Sequence, residues 1–242
     1  MLMINNLKLI LKKNLKFASI IIKIKFYLGL GLEREAKYIK KNFKFIGSLD
    51  VGSNTGYFSN MLSAISKEVF SIEPIKYLSE RQKNIFKDKN VRIFNFALGD
   101  KKSFKNFYIP IHNDPESSFV KKPGSKVKRI KIIKGDDLIK DMKVDFIKID
   151  VEGFEEKVLF GLKKTIYRFK PLLLVEIEKR HNKNYLKIFK FLNKLNYKIF
   201  FMNNKNKLIK IKYKNIKNFI NKNQNILNVY KENYINNFFF KR

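Results

Sequence analysis

The chain has 242 residues, and 53 lysines and arginines against 21 aspartates and glutamates give it a formal charge of +32. A hydrophobic content of 45% is enough to bury one sizeable core, and 14% aromatic residues exclude wholesale disorder. There is no cysteine, which excludes a disulfide framework, a thiolate zinc site and a cysteine nucleophile.

The basic residues are 46 Lys and only 7 Arg. Readers of nucleic acid favour Arg, whose planar fork pairs with guanine edges and phosphates. A chain this rich in Lys, Asn and Ile is what an AT-rich genome encodes, so much of the charge reads as compositional. Residues 1–46 and 181–242 carry +9 and +14 with 2 and 1 acids, whereas residues 47–180 hold the other 18 acids. Three parts are expected: basic N-terminal helices over 1–46, a catalytic domain over 47–212, and a basic C-terminal tail over 213–242 that could complete a sheet.

Residues 4–22 read as an amphipathic helix, with Leu7, Leu11, Leu15, Ala18 and Ile22 at helical spacing beside Lys8, Lys12 and Lys16. Such a helix either docks on the domain or lies on an anionic membrane surface. Gly29 and Gly31 suggest a break, and 32–43 a second helix. The longest uncharged apolar runs near the start, Phe17–Ile22 and Phe26–Leu32, fall far short of the roughly 20 residues of a membrane span. Lysines interrupt every candidate signal-peptide core. The expected location is the cytoplasm, with peripheral attachment to the inner face of a membrane if 4–22 binds lipid.

From Phe45 the pattern alternates. Strands are expected at Phe45–Val51, Val69–Ile72 and Val91–Leu98, with helices at Gly56–Ile65 and 75–87 between them. Residues 101–133 read as an excursion, with strands at 104–109 and 126–133 around a polar loop, His112–Ser118. Val144–Val151 is a fourth strand, Glu155–Phe169 a helix with a break near Gly161, and Pro171–Ile177 a fifth strand. A helix over 183–195 follows, then a hairpin of Lys198–Met202 and Lys207–Lys212, and a last strand at Ile226–Tyr230. Alternating strands and helices imply an α/β fold with a doubly wound, largely parallel, Rossmann-like sheet.

The sharpest local signal is Asp50-Val51-Gly52-Ser53-Asn54-Thr55-Gly56, between strand and helix. Gly52 and Gly56 permit a tight turn with close backbone approach to a ligand, in front of a helix N-terminus. Glu73 lies 21 positions after Gly52 at the end of the next strand, where an acid grips ribose hydroxyls. Ala97-Leu98-Gly99-Asp100 ends the third strand and could flank an adenine. A dinucleotide site wants a glycine where Asn54 stands, and Asp50 would repel a pyrophosphate. An acid there suits a ligand with an ammonium group, a positive sulfonium and an adenosine, which is S-adenosylmethionine. The alternative is an ordinary strand-to-helix turn with a structural Asp.

The second signal is Lys148-Ile149-Asp150-Val151-Glu152-Gly153. Strand alternation puts Lys148, Asp150 and Glu152 on one side and Ile147, Ile149 and Val151 on the other. Glu176 and Glu178 end the next strand, with His181 just beyond. Acids converging at strand ends are expensive to bury unless they pair or act. They could form a salt-bridge network with Lys148, and His181 could be a capping or surface residue. Only His112 and His181 exist in the chain, and both fall in expected loops.

Taken in order, Asp50–Ser59, Ser71–Pro74, Ala97–Asp100, Lys148–Gly153 and Pro171–Glu176 resemble the FkbM family of S-adenosylmethionine-dependent methyltransferases. The resemblance covers roughly residues 47–180. Gly135-Asp136-Asp137-Leu138 is similar to a further family segment, and Ser53 stands where the family usually has Ala. The resemblance implies a seven-stranded methyltransferase sheet and O-methylation of a hydroxyl, on a sugar of a glycan or glycolipid or on a natural product. The expected cofactor contacts are Asp50, Gly52, Asn54, Gly56, Glu73, Ala97 and Asp100. The expected catalytic residues are Asp150, Glu152 and His181, with Asp150 or His181 as general base and Glu152 orienting the acceptor. Asp150, Glu152 and Glu176 could hold a divalent metal, since hard cations take oxygen ligands, but no metal is expected. The alternative is an RNA-binding or RNA-modifying protein of the same fold, disfavoured by scarce Arg and by the absence of an Asn/Asp-Pro-Pro-aromatic loop.

Overall fold

The computed structural model describes residues 33–110, 116–121, 123–140, 142–225 and 234–242. The expected helix over 4–22, His112 and the expected strand Ile226–Tyr230 lie outside the described residues.

A helix α1 (Arg34–Asn42) leads into β1 (Phe45–Val51), α2 (Tyr57–Ser63), β2 (Ser66–Ile72), α3 (Lys76–Ile85) and β3 (Val91–Phe94). Then come β4 (Ala97–Gly99), β5 (Ser103–Pro110), β6 (Ser125–Lys134), the single turn α4 (Gly135–Leu138) and β7 (Phe146–Ile149). Helices α5 (Glu155–Gly161) and α6 (Lys163–Phe169), strand β8 (Leu172–Glu176) and helix α7 (Leu186–Lys194) follow. The chain ends with β9 (Lys198–Met202), β10 (Leu208–Ile211), α8 (Ile216–Asn223) and β11 (Asn237–Lys241).

The main sheet has eight strands in the order β10-β9-β11-β8-β7-β1-β2-β3. From β8 to β3 every pairing is parallel, and β11 runs antiparallel between β8 and β9. Seven strands form the expected methyltransferase arrangement, and β10 extends it by one at the edge.

Strand parity divides the core into two layers. Leu49, Val51, Ile147, Ile149, Leu173, Val175, Phe238 and Phe240 face one side, with Val158, Leu159, Ile188 and Phe189 packed on them. Phe146, Leu174 and Phe239 face the other, against Ala36, Ile39, Met61 and Leu62. In β11, Phe238 and Phe240 meet Phe189 of α7, while Phe239 meets Tyr38 of α1. Phe238 and Phe240 have no exposed surface and Phe239 has 1%, so each contributes about 1.5–3 kcal/mol of burial. That run, at the end of an Asn/Lys-rich tail, draws the chain terminus into the middle of the sheet.

The expected strand Val91–Leu98 is in fact two. After β3, the chain breaks pairing at Asn95 and Phe96, and β4 joins a separate three-stranded sheet of order β4-β6-β5. Asn95 stabilises the departure, its amide donating to the carbonyls of Glu73 and Pro74. The expected break near Gly161 is a close approach: a Cβ there would lie 1.8 Å from the Gly99 carbonyl oxygen. Helix α5 therefore ends where it meets β4, and α6 restarts at Lys163.

Candidate active site

Parallel strands present their C-terminal ends to one edge of the sheet, and β1, β2, β7 and β8 bring their terminal acids there. A cavity opens at this edge. Its floor comes from the first two strands and the loops after them: Val51, Gly52, Asn54, Ile72 and Glu73. Asp150, Val151 and Glu152 form one wall, and Ala97 and Leu98 another. Phe107 of β5 and Phe119 of the connection to β6 also line the cavity, the latter 4.5 Å from the Phe154 ring between centroids. The excursion over 101–133 thus lies over the site.

Gly52 has φ +82, and a Cβ on it would lie 1.8 Å from the Asp150 carbonyl oxygen, so only glycine fits between the two strand ends. Gly52 and Ser53 both donate their N–H to the Ile72 carbonyl. Glu73 is 3% exposed, and its two carboxylate oxygens accept from the N–H of Asn54 at 2.7 Å and of Ile75 at 2.8 Å. The loop and the acid are thereby locked together. Burial pushes the Glu73 carboxyl up to about 8, against those two N–H donors.

Beneath the loop runs a buried polar chain that sequence reasoning missed. Asp50 contacts Ser59 Oγ at 2.6 Å, Ser59 contacts Ser71 at 3.0 Å, and Ser71 donates to Gln82 Oε1 at 2.6 Å. The Gln82 amide then donates to Ser53 Oγ at 2.8 Å and to the Asn54 carbonyl at 2.7 Å. Each serine has one proton, and Ser71 gives its proton to Gln82. The Ser59–Asp50 and Ser59–Ser71 contacts can both be made only when Asp50 is protonated. Burial raises the Asp50 carboxyl, in agreement, and its Oδ1 has no hydrogen-bond partner. Ser53, unusual for the resemblance noted above, is the acceptor that anchors this chain to the loop. The signal for it was polar side chains on otherwise buried faces, at Ser59, Ser71 and Gln82. Replacing Gln82 by Leu is expected to remove the acceptor of the Ser71 hydroxyl and the Gln82 donor to the Asn54 carbonyl, costing about 1–3 kcal/mol per buried group in a denaturant titration.

At the other strand ends, Lys148 donates to Asp150 Oδ2 at 2.9 Å, and its Nζ lies 5.2 Å from the centre of the Phe58 ring. Despite its burial, Asp150, Asp50 and Glu33 keep Lys148 firmly charged. In turn, against the upward push of burial, Lys148 holds Asp150 below the usual carboxylate range. Glu152 takes φ +52, a left-handed conformation costly for a side chain with a Cβ, and its carboxylate meets Nδ1 of His181. Burial and the neighbouring Asp150 raise Glu176 well above its ordinary value.

Of the sequence-predicted cofactor residues, Gly52, Asn54, Glu73 and Ala97 line the cavity, whereas Asp50 does not line it and is fully buried against Ser59. Gly56 does not line it but caps α2, donating its N–H to the Ser53 carbonyl. Asp100 also stays outside the lining, where its carboxylate accepts from Lys157 at 2.8 Å. Asp150 and Glu152 line the cavity, and Glu152 and His181 share an adjoining recess. Among the described residues no group of three or more acids or histidines could hold a metal ion, including Asp150, Glu152 and Glu176.

Residues 50–199 match the family model of the Methyltransferase FkbM domain. The chain belongs to the FkbM methyltransferase family. Among solved structures, the FkbM methyltransferase from Methylobacillus flagellatus KT is 17% identical with a TM-score of 0.50. That match covers 81% of this chain and 43% of that one, so this chain spans less than half the length of that relative. A putative methyltransferase from Streptococcus mutans, solved with S-adenosylhomocysteine, is 10% identical with a TM-score of 0.47, covering 86% of this chain and 96% of that one. No curated protein sequence matches the chain.

Membership of the FkbM methyltransferase family implies S-adenosylmethionine as cofactor, and the residues present suit it. An anchored acid follows the glycine loop, an orphaned carboxylate oxygen lies below it, and an aromatic-roofed cavity stands above. When bound, S-adenosylmethionine supplies a methyl group on a positively charged sulfur.

Proposed function

We propose that the protein O-methylates a hydroxyl of a sugar in a glycan or glycolipid. The observation that carries this reading is Glu152, which lines both the cofactor cavity and the recess beside it, with His181 against its carboxylate. A hydroxyl is a poor nucleophile and needs a base at the cavity mouth.

In this reading Glu73 accepts from the ribose hydroxyls, and Asp50 meets the ammonium end of the cofactor, which favours its ionised form. Adenine fills the apolar slot between Leu98 and Phe107. Held low by Lys148, Asp150 is a weak base and acts through its negative charge. Glu152 holds one nitrogen of His181, leaving the other to take the hydroxyl proton. The acids at the acceptor end disfavour RNA, since they would repel a phosphate backbone.

The test is a screen of sugars and lipid-linked glycans with methyl-labelled S-adenosylmethionine. Label is expected on a sugar oxygen. Label transferred to RNA and to no sugar would overturn the assignment.

A further inference from the structure

Strands β5 and β6 carry Lys105, Lys126, Lys128, Arg129, Lys131 and Lys134 and no acid. Their antiparallel register sets Lys128 opposite Phe107 and Ile130 opposite Lys105, and directly opposed residues share a face. Phe107, Ile109 and Ile130 pack with Ile75 and Leu78, so this is the face turned toward the main domain. Lys105 and Lys128 therefore stand among apolar side chains on the packed face. Phe104 and Val127, 57% and 52% exposed, stand on the outer one. Alternation in a sheet with one covered face normally runs the other way. A lysine on an outer face is simply solvated, but on the packed face each ammonium must reach water or meet an anion.

Both lysines adjoin the cavity. Lys105 Nζ lies 5.3 Å from the centre of the Phe154 ring, and Phe154 lines the cavity two positions after Glu152. Lys128 faces Phe107, another lining residue, and is diagonal to Lys105 across the two strands, a backbone separation of about 7–8 Å. Two flexible side chains at that spacing can converge on one oxyanion. Both are exposed, and among the described residues neither has an acidic partner. By contrast, Lys157 of α5 and Lys148 of β7 are paired with Asp100 and Asp150. The Phe154 ring steadies the Lys105 ammonium and leaves it N–H donors for an oxyanion.

We propose that Lys105, with Lys128 beside it, binds an anionic group of the acceptor, so that the methylated hydroxyl belongs to an acidic sugar, carboxylated or phosphorylated. This rests on the sugar-hydroxyl reading and narrows it. Asp150 and Glu152 bound the same cavity from the main sheet. An acceptor with a single anionic group is therefore turned with that group toward β5 and its neutral hydroxyl toward the acids and His181. An RNA strand, with a phosphate on every nucleotide, could not avoid the acids in this way. Lysine suits the role, because a point charge on a flexible stem takes either anion.

The experiment is calorimetry on the full chain saturated with S-adenosylhomocysteine, at neutral pH in about 0.15 M salt, where attraction beyond about 8 Å is screened. The probes are glucuronate, glucose 6-phosphate, glucose and inorganic phosphate. At least one acidic sugar is expected to bind about tenfold or more tighter than glucose, a factor that a charge-assisted hydrogen bond supplies. Which of the two does so tells carboxylate from phosphate. Lys105→Gln is expected to remove most of that preference and Lys105→Arg to keep it. Affinity for glucose and for S-adenosylhomocysteine should stay within about twofold of wild type in both. Lys210→Gln, in the edge strand β10, is expected to change none of these. Equal affinity for glucose and both acidic sugars sinks the anion and leaves the sugar reading standing, whereas binding of no sugar sinks both. Inorganic phosphate binding as tightly as the preferred sugar marks a bare anion site and overturns the proposal. So does an equal loss in Lys210→Gln, which would assign the preference to the overall charge of +32.

Discussion

Replacing Glu73 with alanine is expected to weaken S-adenosylmethionine binding by about 100-fold or more. Two hydroxyl donors to a charged acceptor contribute roughly 1.5–3 kcal/mol each, and each 1.4 kcal/mol is about tenfold in affinity. The substitution also frees the N–H groups of Asn54 and Ile75, so the glycine loop loses its tie to the second strand. Glu73→Gln keeps the size and should fall between the two. The acid titrates near 8 in the free protein, and the ribose needs its ionised form. Affinity in the wild type should therefore rise as pH increases from 6 toward 8, with proton release on binding. The sign follows from linkage: a ligand that prefers the deprotonated form binds more weakly below the free-state pKa. In Glu73→Gln that slope should be reduced. Cofactor-induced shifts in melting temperature across this pH range check both points. A slope unchanged in the variant would assign the proton to Asp50, the other buried acid of the loop.

His181→Ala is the second large effect. Loss of a positioned base costs about 10²- to 10⁴-fold in turnover, and cofactor affinity should be unchanged because His181 lies outside the cofactor cavity. Asp150→Asn should behave differently. Asp150 is the hydrogen-bonded partner of the buried Lys148, so its neutralisation strands that ammonium beside Phe58. That variant is expected to lose stability as well as turnover. Single-turnover rates with a labelled acceptor, beside denaturant melts, separate the two. If His181→Ala retained full turnover and Asp150→Asn lost turnover alone, Asp150 would be the base.

Much of this was legible in the sequence because both key segments lie at strand ends, where local pattern and topology coincide. Asp50 through Gly56, Glu73 and Lys148 through Glu152 required only strand alternation and the rule that ligands bind at carboxyl ends. What escaped was non-local. Gln82 looks like a surface residue of a helix until Ser71 and Ser53 are placed around it. Asp100 sits in a segment that suggests an adenine contact, yet its partner, Lys157, is 57 positions away in helix α5. Phe96 continues the apolar run of β3, so no local signal marks the point where the chain leaves for the second sheet. Phe238–Phe240 lies in a tail whose composition suggests fraying, and only the open slot between β8 and β9 gives those rings a place.

The charge of +32 takes its meaning from the same geometry. Six of the 21 acids, Glu73, Asp150, Glu152, Glu155, Glu176 and Glu178, line the cavity at the strand ends or the recess beside it.

The most direct test of the assigned site is a calorimetric titration of the wild type and Glu73→Ala with S-adenosylmethionine, side by side at pH 8. One-to-one binding to the wild type and its loss in the variant is the expected result. No binding to the wild type, or equal binding to both, would contradict it.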